Sequence, residues 1–416
     1  MSLARRPPLW LAAAAIATTI AATYTAVVWI ASFRAGPIHV DVRMYYVAAE
    51  AGVRYGWATI YDQPVLRALS AGFPPTARFI DDQTTYASLP LLAWVFAPLT
   101  VFPEPVAYAL WTALSLAALV LAWHICAPYT GLKKWTLLTL ALGLWPVALA
   151  FDLGQPTMVV LGLTAVAFWL SANERPVQAG VILAIATFLK PQTVLLLPLA
   201  LLIAGHARVT AAWAAGCVVL AGLSAASLGA SGVAEWWHTT RTVQSLPVNT
   251  EYTLAHVLGR GTLTYVLWVV QGAAAMYVAR QQRDRLEIVF AVGLLGSVAT
   301  ASYFHEPDYT ALLLPAWLML RTAPPLWHRL YLLVGVLTMQ LMSYWADSHD
   351  LIWTLVTRGS QLAWDAGWLA ILVASSLTLR GGLRERREVR LRVSVHQADD
   401  AVTAVSGFES DTFGGS

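Results

Sequence analysis

Long apolar runs, separated by short polar stretches, dominate the chain from residue 9 to residue 379. Runs of about 18 or more apolar residues are typical of helices that cross a membrane. The pattern therefore predicts an all-α polytopic membrane protein with about 12 transmembrane helices. The predicted spans lie near residues 9–31, 105–128, 135–151, 157–172, 177–189, 191–205, 209–230, 262–280, 286–303, 309–321, 330–346 and 362–379.

The orientation of these spans depends on the apolar segment 88–102, which is broken by Pro90 and Pro98. If this segment stays at the membrane face, every basic cluster between later spans falls on the cytoplasmic side, as the positive-inside rule prefers. If it spans, those clusters fall outside. We therefore predict cytoplasmic termini, with residues 32–104 and 231–261 outside and the stretch 43–56 as an amphipathic helix on the membrane.

The first apolar run is too long for a signal peptide and is predicted to be retained as the first helix. Residues 1–380 are then one membrane domain, and the polar residues 381–416 are predicted to form a disordered cytoplasmic tail.

Composition agrees with the membrane class, because 58% of the residues are hydrophobic and only 12% are charged. The net charge of +3 gives no indication of a nucleic-acid partner, and we expect none. Cys126 and Cys217 lie inside apolar runs, so neither a disulfide nor a metal site is expected from them. There is no D-x-D motif, and the adjacent pair Asp81-Asp82 is more typical of a solvated loop. We expect no metal and no other cofactor.

Four polar insertions interrupt the apolar sequence, and the predicted topology places all four on the outer face. They are HVDVRMYY (39–46), FDLGQP (151–156), FLKPQT (188–193) and HEPD (305–308). Ionisable groups at membrane depth are costly and usually line a site or a pathway. A single insertion could be a charged loop at the water boundary. Four insertions on one face favour a shared site.

These insertions carry a resemblance to a known family. The order and spacing of Asp41, YYVAAEA (45–51), IYD (60–62), GQPT (154–157), KPQT (190–193) and HEPDYT (305–310) are similar to those of glycosyltransferase family 87 in the GT-C superfamily. The resemblance extends from about residue 39 to residue 320. Thr157, after Pro156, stands where the family usually has Asn, so the family's role for this motif is assigned to Gln155 only in part.

The resemblance implies a GT-C fold with juxtamembrane helices in the first outer loop. It implies that the donor is polyprenyl-phosphate-mannose and the acceptor a phosphatidylinositol mannoside of the mycobacterial cell envelope. The implied reaction extends the tetramannoside to the pentamannoside through an inverting, α-1,2 transfer. The implied location is the inner (plasma) membrane, among membrane lipids, with the active site facing the periplasm and Asp41 as catalytic base.

Inversion of a β-linked donor needs one carboxylate to take the proton of the acceptor hydroxyl. It also needs cations or hydrogen-bond donors to stabilise the leaving phosphate. Asp41 suits the first role, and His305 is the second predicted catalytic residue, directed to the phosphate or to the acceptor. Lys190 and either Arg43 or Arg241 suit the phosphate. The other predicted substrate-binding residues are Tyr45, Gln155, Trp236, Trp237, Asp308 and Tyr309.

Several of these residues have simpler interpretations. Lys190 could be an interfacial lysine that extends to the lipid headgroups, and His305 could be a packing histidine. Asp308 could cap the helix that follows it. Trp236 and Trp237 could belong to the aromatic belt of the membrane interface rather than stack on a sugar ring.

Two other functions remain open from the sequence. The first is a GT-C transferase of another lipid-linked sugar, such as decaprenyl-phosphate-arabinose. The second is a lipid or sugar transporter. Transporters place charges near mid-bilayer and are often built from internal repeats. Here the charges cluster at one face and no repeat is visible, so transport is less favoured.

Overall fold

The computed structural model of the chain describes residues 7–35, 40–73, 85–343 and 351–378, and every regular element in these ranges is helical. The chain divides into two compact units after residue 369. Of the second unit, residues 370–378 are described and are helical. The predicted tail, 381–416, lies outside the described residues.

Seventeen helices are named here in chain order. They are α1 (Leu9–Ala35), α2 (Val40–Tyr55), α3 (Gln63–Ser70), α4 (Pro90–Phe96), α5 (Glu104–Cys126), α6 (Gly131–Leu142), α7 (Trp145–Leu153), α8 (Thr157–Ala172), α9 (Pro176–Leu189), α10 (Leu197–Ile203), α11 (Ala207–Ser245), α12 (Leu254–Leu258), α13 (Thr262–Gln281), α14 (Leu286–Ala299), α15 (Leu313–Arg321), α16 (Leu326–Leu341) and α17 (Leu351–Thr354). Short 3-10 segments occupy Trp57–Thr59, Ala97–Val101, Pro191–Thr193, Pro247–Thr250 and Glu306–Leu312. A π-helical turn, Leu355–Gly359, joins α17 to helical residues 360–369.

Four helices of the described chain are long and apolar enough to cross a membrane, since about 20 helical residues match its hydrocarbon core. They are Leu9–Arg34, Glu104–Cys126, Ala207–Gln244 and Thr262–Gln281. The bent pair α6 and α7 would make a fifth span. These helices support the predicted class of polytopic membrane protein. The count of about 12 spans and the GT-C fold stay predictions, since the other apolar helices are shorter.

The break between α6 and α7 bends the chain by 58°. Pro146 at the start of α7 contributes to the break, because proline has no N–H to continue the hydrogen-bond ladder. The side-chain amide of Gln340, in α16, donates to the carbonyl of Gly143 at 2.8 Å. A backbone group exposed at the break is thereby satisfied by a neighbouring helix, as membrane interiors require.

One segment differs from the sequence prediction. The seventh predicted span, 209–230, lies in the first part of α11, and helical residues continue to Ser245 where a loop was predicted. Gly229 has a φ of 64° and a non-helical backbone, so it divides α11 into two helical parts close to the predicted end of the span. Segment 88–102, by contrast, forms only the short helix α4 and one 3-10 segment. Its position at the membrane face stays a prediction.

Helix α2 forms where an amphipathic helix was predicted, but protein covers its apolar face. Tyr45 packs edge-on against Phe96 of α4 and against Tyr86, with ring centroids 5.4 and 6.3 Å apart. The hydroxyl of Tyr46 donates to the carbonyl of Phe102 at 3.0 Å. The position of α2 is therefore fixed by contacts with Tyr86, Phe96 and Phe102, which hold Asp41 in one place.

Candidate active site

Helix ends bring one residue of each polar insertion into a single hydrogen-bond network. Asp41 lies in the first turn of α2, and Gln155 lies between α7 and α8. Lys190 caps the C-terminus of α9, and Asp308 lies in the 3-10 segment before α15. The amide nitrogen of Gln155 donates to Oδ2 of Asp41, and Nζ of Lys190 donates to Oε1 of Gln155 at 2.5 Å. Lys190 also forms an ion pair with Asp308.

Three groups of the protein surround the ammonium of Lys190. An ammonium group has three donors. Here they meet Gln155, the hydroxyl of Thr157 at 3.1 Å, and the carboxylate of Asp308. The side chain is only 7% exposed. The predicted direct contact between Lys190 and a donor phosphate would compete with these interactions, and it stays a prediction.

Asp41 has the properties of a general base. Its Oδ2 is engaged by Gln155, and no hydrogen bond from the described residues reaches Oδ1. The residue is partly exposed. Desolvation raises the pKa of Asp41 to about 6, against the opposing effects of the Lys190 charge and the Gln155 hydrogen bond. A base with a pKa near the working pH combines a useful deprotonated fraction with real proton affinity.

His305 and Asp308 are connected through the backbone. The amide N–H of His305 donates to Oδ2 of Asp308 at 3.1 Å, which caps the 3-10 segment that begins at Glu306. The imidazole is partly exposed and lies edge-on to the ring of Tyr303, with centroids 4.9 Å apart. Desolvation lowers the pKa of His305. The imidazole is therefore neutral near pH 7 and can donate or accept a hydrogen bond.

Asp308 and Tyr309 have no exposed surface. The ring of Tyr309 packs edge-on against Phe304 and Tyr252, with centroids 4.9 and 5.7 Å away. The predicted contacts of both residues with sugar hydroxyls stay predictions. Asp308 was predicted either to bind a sugar hydroxyl or to cap a helix, and the capping role agrees with the geometry. Asp308 also forms the ion pair with Lys190.

Arg43 is a second cation near Asp41. The residue is 3% exposed, and its Nε has no hydrogen-bond partner among the described residues. Asp41 and Glu104 are the carboxylates whose charges act on it. Tyr45 is also buried beside Asp41, and desolvation together with that carboxylate raises its pKa well above the usual value. Tyr45 is therefore a neutral hydroxyl at physiological pH.

The predicted aromatic site on α11 is separate from this network. The guanidinium of Arg241 lies 4.6 Å from the ring centroid of Trp237, which is 52% exposed. The ring of Trp236 lies 6.2 Å from that of Trp237. Among the described residues, no hydrogen bond or ion pair joins these three side chains to Asp41 or Lys190. Their contact with substrate stays a prediction.

Sequence reasoning missed the backbone support of Gln155. Gly154 has a φ of 69°, in the left-handed region, and ends α7. A Cβ on Gly154 would lie 1.8 Å from Cγ2 of Val42, so α2 approaches as closely as only glycine permits. The indole N–H of Trp111 donates to the carbonyl of Gly154 at 2.7 Å. The glycine of GQPT was the available signal, but the partner of an indole N–H cannot be read from sequence.

A second missed cluster joins the segment after α11 to the HEPD insertion. The hydroxyl of Tyr252 donates to Glu306 at 2.9 Å, and Arg358 donates to Glu251 at 2.7 Å. The guanidinium of Arg358 also lies 5.9 Å from the ring centroid of Tyr252. These contacts fix one side of the 3-10 segment that carries Asp308.

The described residues contain no group of three His, Cys, Asp or Glu side chains arranged to hold a metal ion. The pair Asp81-Asp82 lies outside the described residues.

Comparison with known proteins gives one family. The family model for glycosyltransferase family 87 matches residues 89–302, slightly more than half of the chain. The matched stretch includes Gln155 and Lys190, whereas Asp41 precedes it and Asp308 follows it. Neither the curated proteins nor the solved structures contain a significant match.

Proposed function

Because this chain belongs to glycosyltransferase family 87, we propose that it transfers mannose from polyprenyl-phosphate-mannose to a phosphatidylinositol mannoside. The specific proposal is the extension of the tetramannoside to the pentamannoside through an α-1,2 linkage, on the periplasmic side of the plasma membrane. The observation that carries the proposal is Asp41, whose Oδ1 is unengaged within the described residues at the convergence of four polar insertions.

The reaction is a single displacement with inversion. The acceptor hydroxyl oxygen forms a bond to the anomeric carbon of mannose, and the bond from that carbon to the phosphate oxygen breaks. The hydroxyl proton moves to Oδ1 of Asp41, and polyprenyl phosphate leaves with the bonding electron pair. General-base assistance of this kind typically contributes about 10²–10⁴-fold to the rate.

The leaving phosphate gains negative charge and needs a cation or hydrogen-bond donors. Arg43 is the better candidate, because it is close enough to Asp41 for each charge to affect the other, and no described residue engages its Nε. Lys190 contributes through its positive field rather than through direct contact. His305, neutral and partly exposed, is suited to donate to the phosphate or to orient the acceptor hydroxyl. Arg241, beside Trp237, is the alternative phosphate cation.

We expect this transfer to proceed without a metal ion. The leaving group is a monophosphate ester, which a guanidinium can bind in bidentate fashion. Activity that survives extensive chelation would agree with this expectation, and a requirement for added Mg²⁺ or Mn²⁺ would contradict it.

The test is transfer of labelled mannose from polyprenyl-phosphate-mannose to purified mannolipids by the full-length protein in lipid nanodiscs. The donor panel includes decaprenyl-phosphate-arabinose, which separates the mannosyl proposal from the alternative donor. The Asp41→Asn protein is the matched negative control. Transfer from arabinose donors alone would replace the donor assignment. Translocation of lipid or sugar without any transfer would support the transporter alternative.

A further inference from the structure

The contact from Lys190 through Gln155 to Asp41 has a fixed direction. An ammonium group can only donate hydrogen bonds, and an amide oxygen can only accept them. Lys190 therefore holds Oε1 of Gln155 on its own side. The amide nitrogen, which can only donate, then faces Asp41. The usual ambiguity between the oxygen and nitrogen of a glutamine amide is removed here by the neighbouring lysine.

We propose that Gln155 is a positioning residue of the transfer reaction. Its amide, oriented by Lys190, donates to Oδ2 of Asp41 and leaves Oδ1 as the oxygen that takes the acceptor proton. The inference rests on the proposed role of Asp41 as general base. It adds a selection between the two carboxylate oxygens, and it makes Lys190 act on the reaction through Gln155.

The surroundings restrict Gln155 to this position. Gly154 lets α2 approach the chain directly before Gln155, and Trp111 holds the Gly154 carbonyl. On the other side, Lys190 is held by Thr157 and by Asp308 in addition to Gln155. Because both ends are fixed, the amide has one arrangement that satisfies Lys190 and Asp41 together.

Other charged groups also act on Asp41, and together they determine its pKa before any substitution is made. Lys190 at the end of α9 and Arg43 on α2 favour the carboxylate, whereas Asp308 disfavours it. Tyr45 and Tyr303 face it as neutral hydroxyls. Replacement of Gln155 by leucine removes one hydrogen-bond donor and leaves these groups in place. A carboxylate that loses a hydrogen-bond donor is a stronger base, so the pKa of Asp41 should rise.

The experiment measures kcat/KM against pH for full-length protein, because this ratio reports ionisations of the free enzyme. With Gln155→Leu, we expect lower activity. We also expect the acidic limb of the pH profile of kcat/KM to move upward by roughly one pH unit. Gln155→Glu keeps the side-chain volume but places a second carboxylate beside Asp41, so its limb should also move upward. Thr164→Val is the matched control: the Thr164 hydroxyl donates to the carbonyl of Val160 within α8 at 2.8 Å, so its loss should leave the limb in place.

A second readout does not depend on transfer. Infrared difference titration, with Asp41→Asn as the reference, follows protonation of the Asp41 carboxyl directly. Parallel upward shifts in this titration and in kcat/KM support the positioning role. A uniform loss of activity with an unmoved limb overturns it and reduces Gln155 to packing. If the unaltered protein transfers no mannose while Gln155→Leu still moves the titration, the proposed function fails and the coupling of Gln155 to Asp41 stands.

Discussion

Lys190 and Asp308 form an ion pair in which the Lys190 side chain is 7% exposed and the Asp308 side chain is fully buried. The two residues come from insertions 118 positions apart, and their pairing joins the end of α9 to the 3-10 segment before α15. Charge in such a place is tolerated because each partner neutralises the other. Removing one partner leaves the other charge buried and uncompensated.

The first prediction concerns this pair. Lys190→Met should destabilise the protein by about 3–5 kcal/mol, the usual cost of breaking a buried ion pair from one side. The double variant Lys190→Met, Asp308→Leu should lose less than the sum of the two single variants, because it leaves no isolated charge. Thermal unfolding in detergent micelles measures all three. Additive losses would show that the pair is not coupled.

The second prediction concerns the base. Asp41→Asn keeps the shape but cannot take a proton, so mannosyl transfer should fall by about 10²–10⁴-fold. Binding of the lipid-phosphate donor should survive, because the change removes a negative charge near a phosphate. Asp62→Asn is the matched control: Asp62 caps α3 by accepting from the N–H of Val65 at 3.2 Å, and asparagine caps equally well. Parallel loss of binding and activity would indicate a structural role for Asp41.

The third prediction is the pH dependence of transfer. The base must be deprotonated, and the pKa of Asp41 is raised to about 6. The kcat/KM for transfer should therefore rise as the pH increases through about 6, and then level off. With saturating donor and acceptor, kcat reports the same group in the bound complex. An acidic limb near pH 4, the ordinary range of an exposed aspartate, would exclude Asp41 as the titrating base.

The fourth prediction concerns His305. His305→Ala should lower turnover severely and leave folding intact. The bond that caps the 3-10 segment uses the backbone N–H of His305, and alanine keeps it. Circular dichroism and thermal unfolding check the fold, and labelled mannose transfer checks the rate. Near-normal transfer by a stable variant would assign His305 to packing against Tyr303.

The site shows where sequence reasoning succeeds and where it stops. Asp41, Gln155, Lys190 and Asp308 were all recognisable as candidates, because polar residues that interrupt apolar sequence need a reason to be there. The separate role of each of these residues could not be recognised from the sequence. Whether an ammonium keeps a donor for a ligand depends on how many acceptors other helices place around it, and that is a property of packing. The predicted phosphate contact of Lys190 and the predicted sugar contact of Tyr309 depend on such packing, and both stay predictions.

The helix bounds could likewise be predicted from the sequence only in part. The apolar stretches that became α1, α5 and α13 were long and unambiguous, so their positions were close to those predicted. The glycine after the apolar run of α11 signals an end, and the backbone does break at Gly229. The second helical part was not predicted, because it depends on packing against the 3-10 segment Trp57–Thr59, where Gly232 approaches Ala58.

The fifth prediction tests the close approach of α2 to Gly154. Gly154→Ala should destabilise the protein, by about 1–2 kcal/mol from the left-handed backbone alone. The added Cβ would also meet Cγ2 of Val42 at 1.8 Å, so α2 must shift and carry Asp41 away from Gln155. We therefore expect a loss of transfer larger than the loss of stability explains. Adding Val42→Ala removes the clashing methyl groups and should restore part of the activity, while the backbone strain and its effect on unfolding remain. Activity that stays equally low in the double variant would show that the contact with Val42 does not position Asp41.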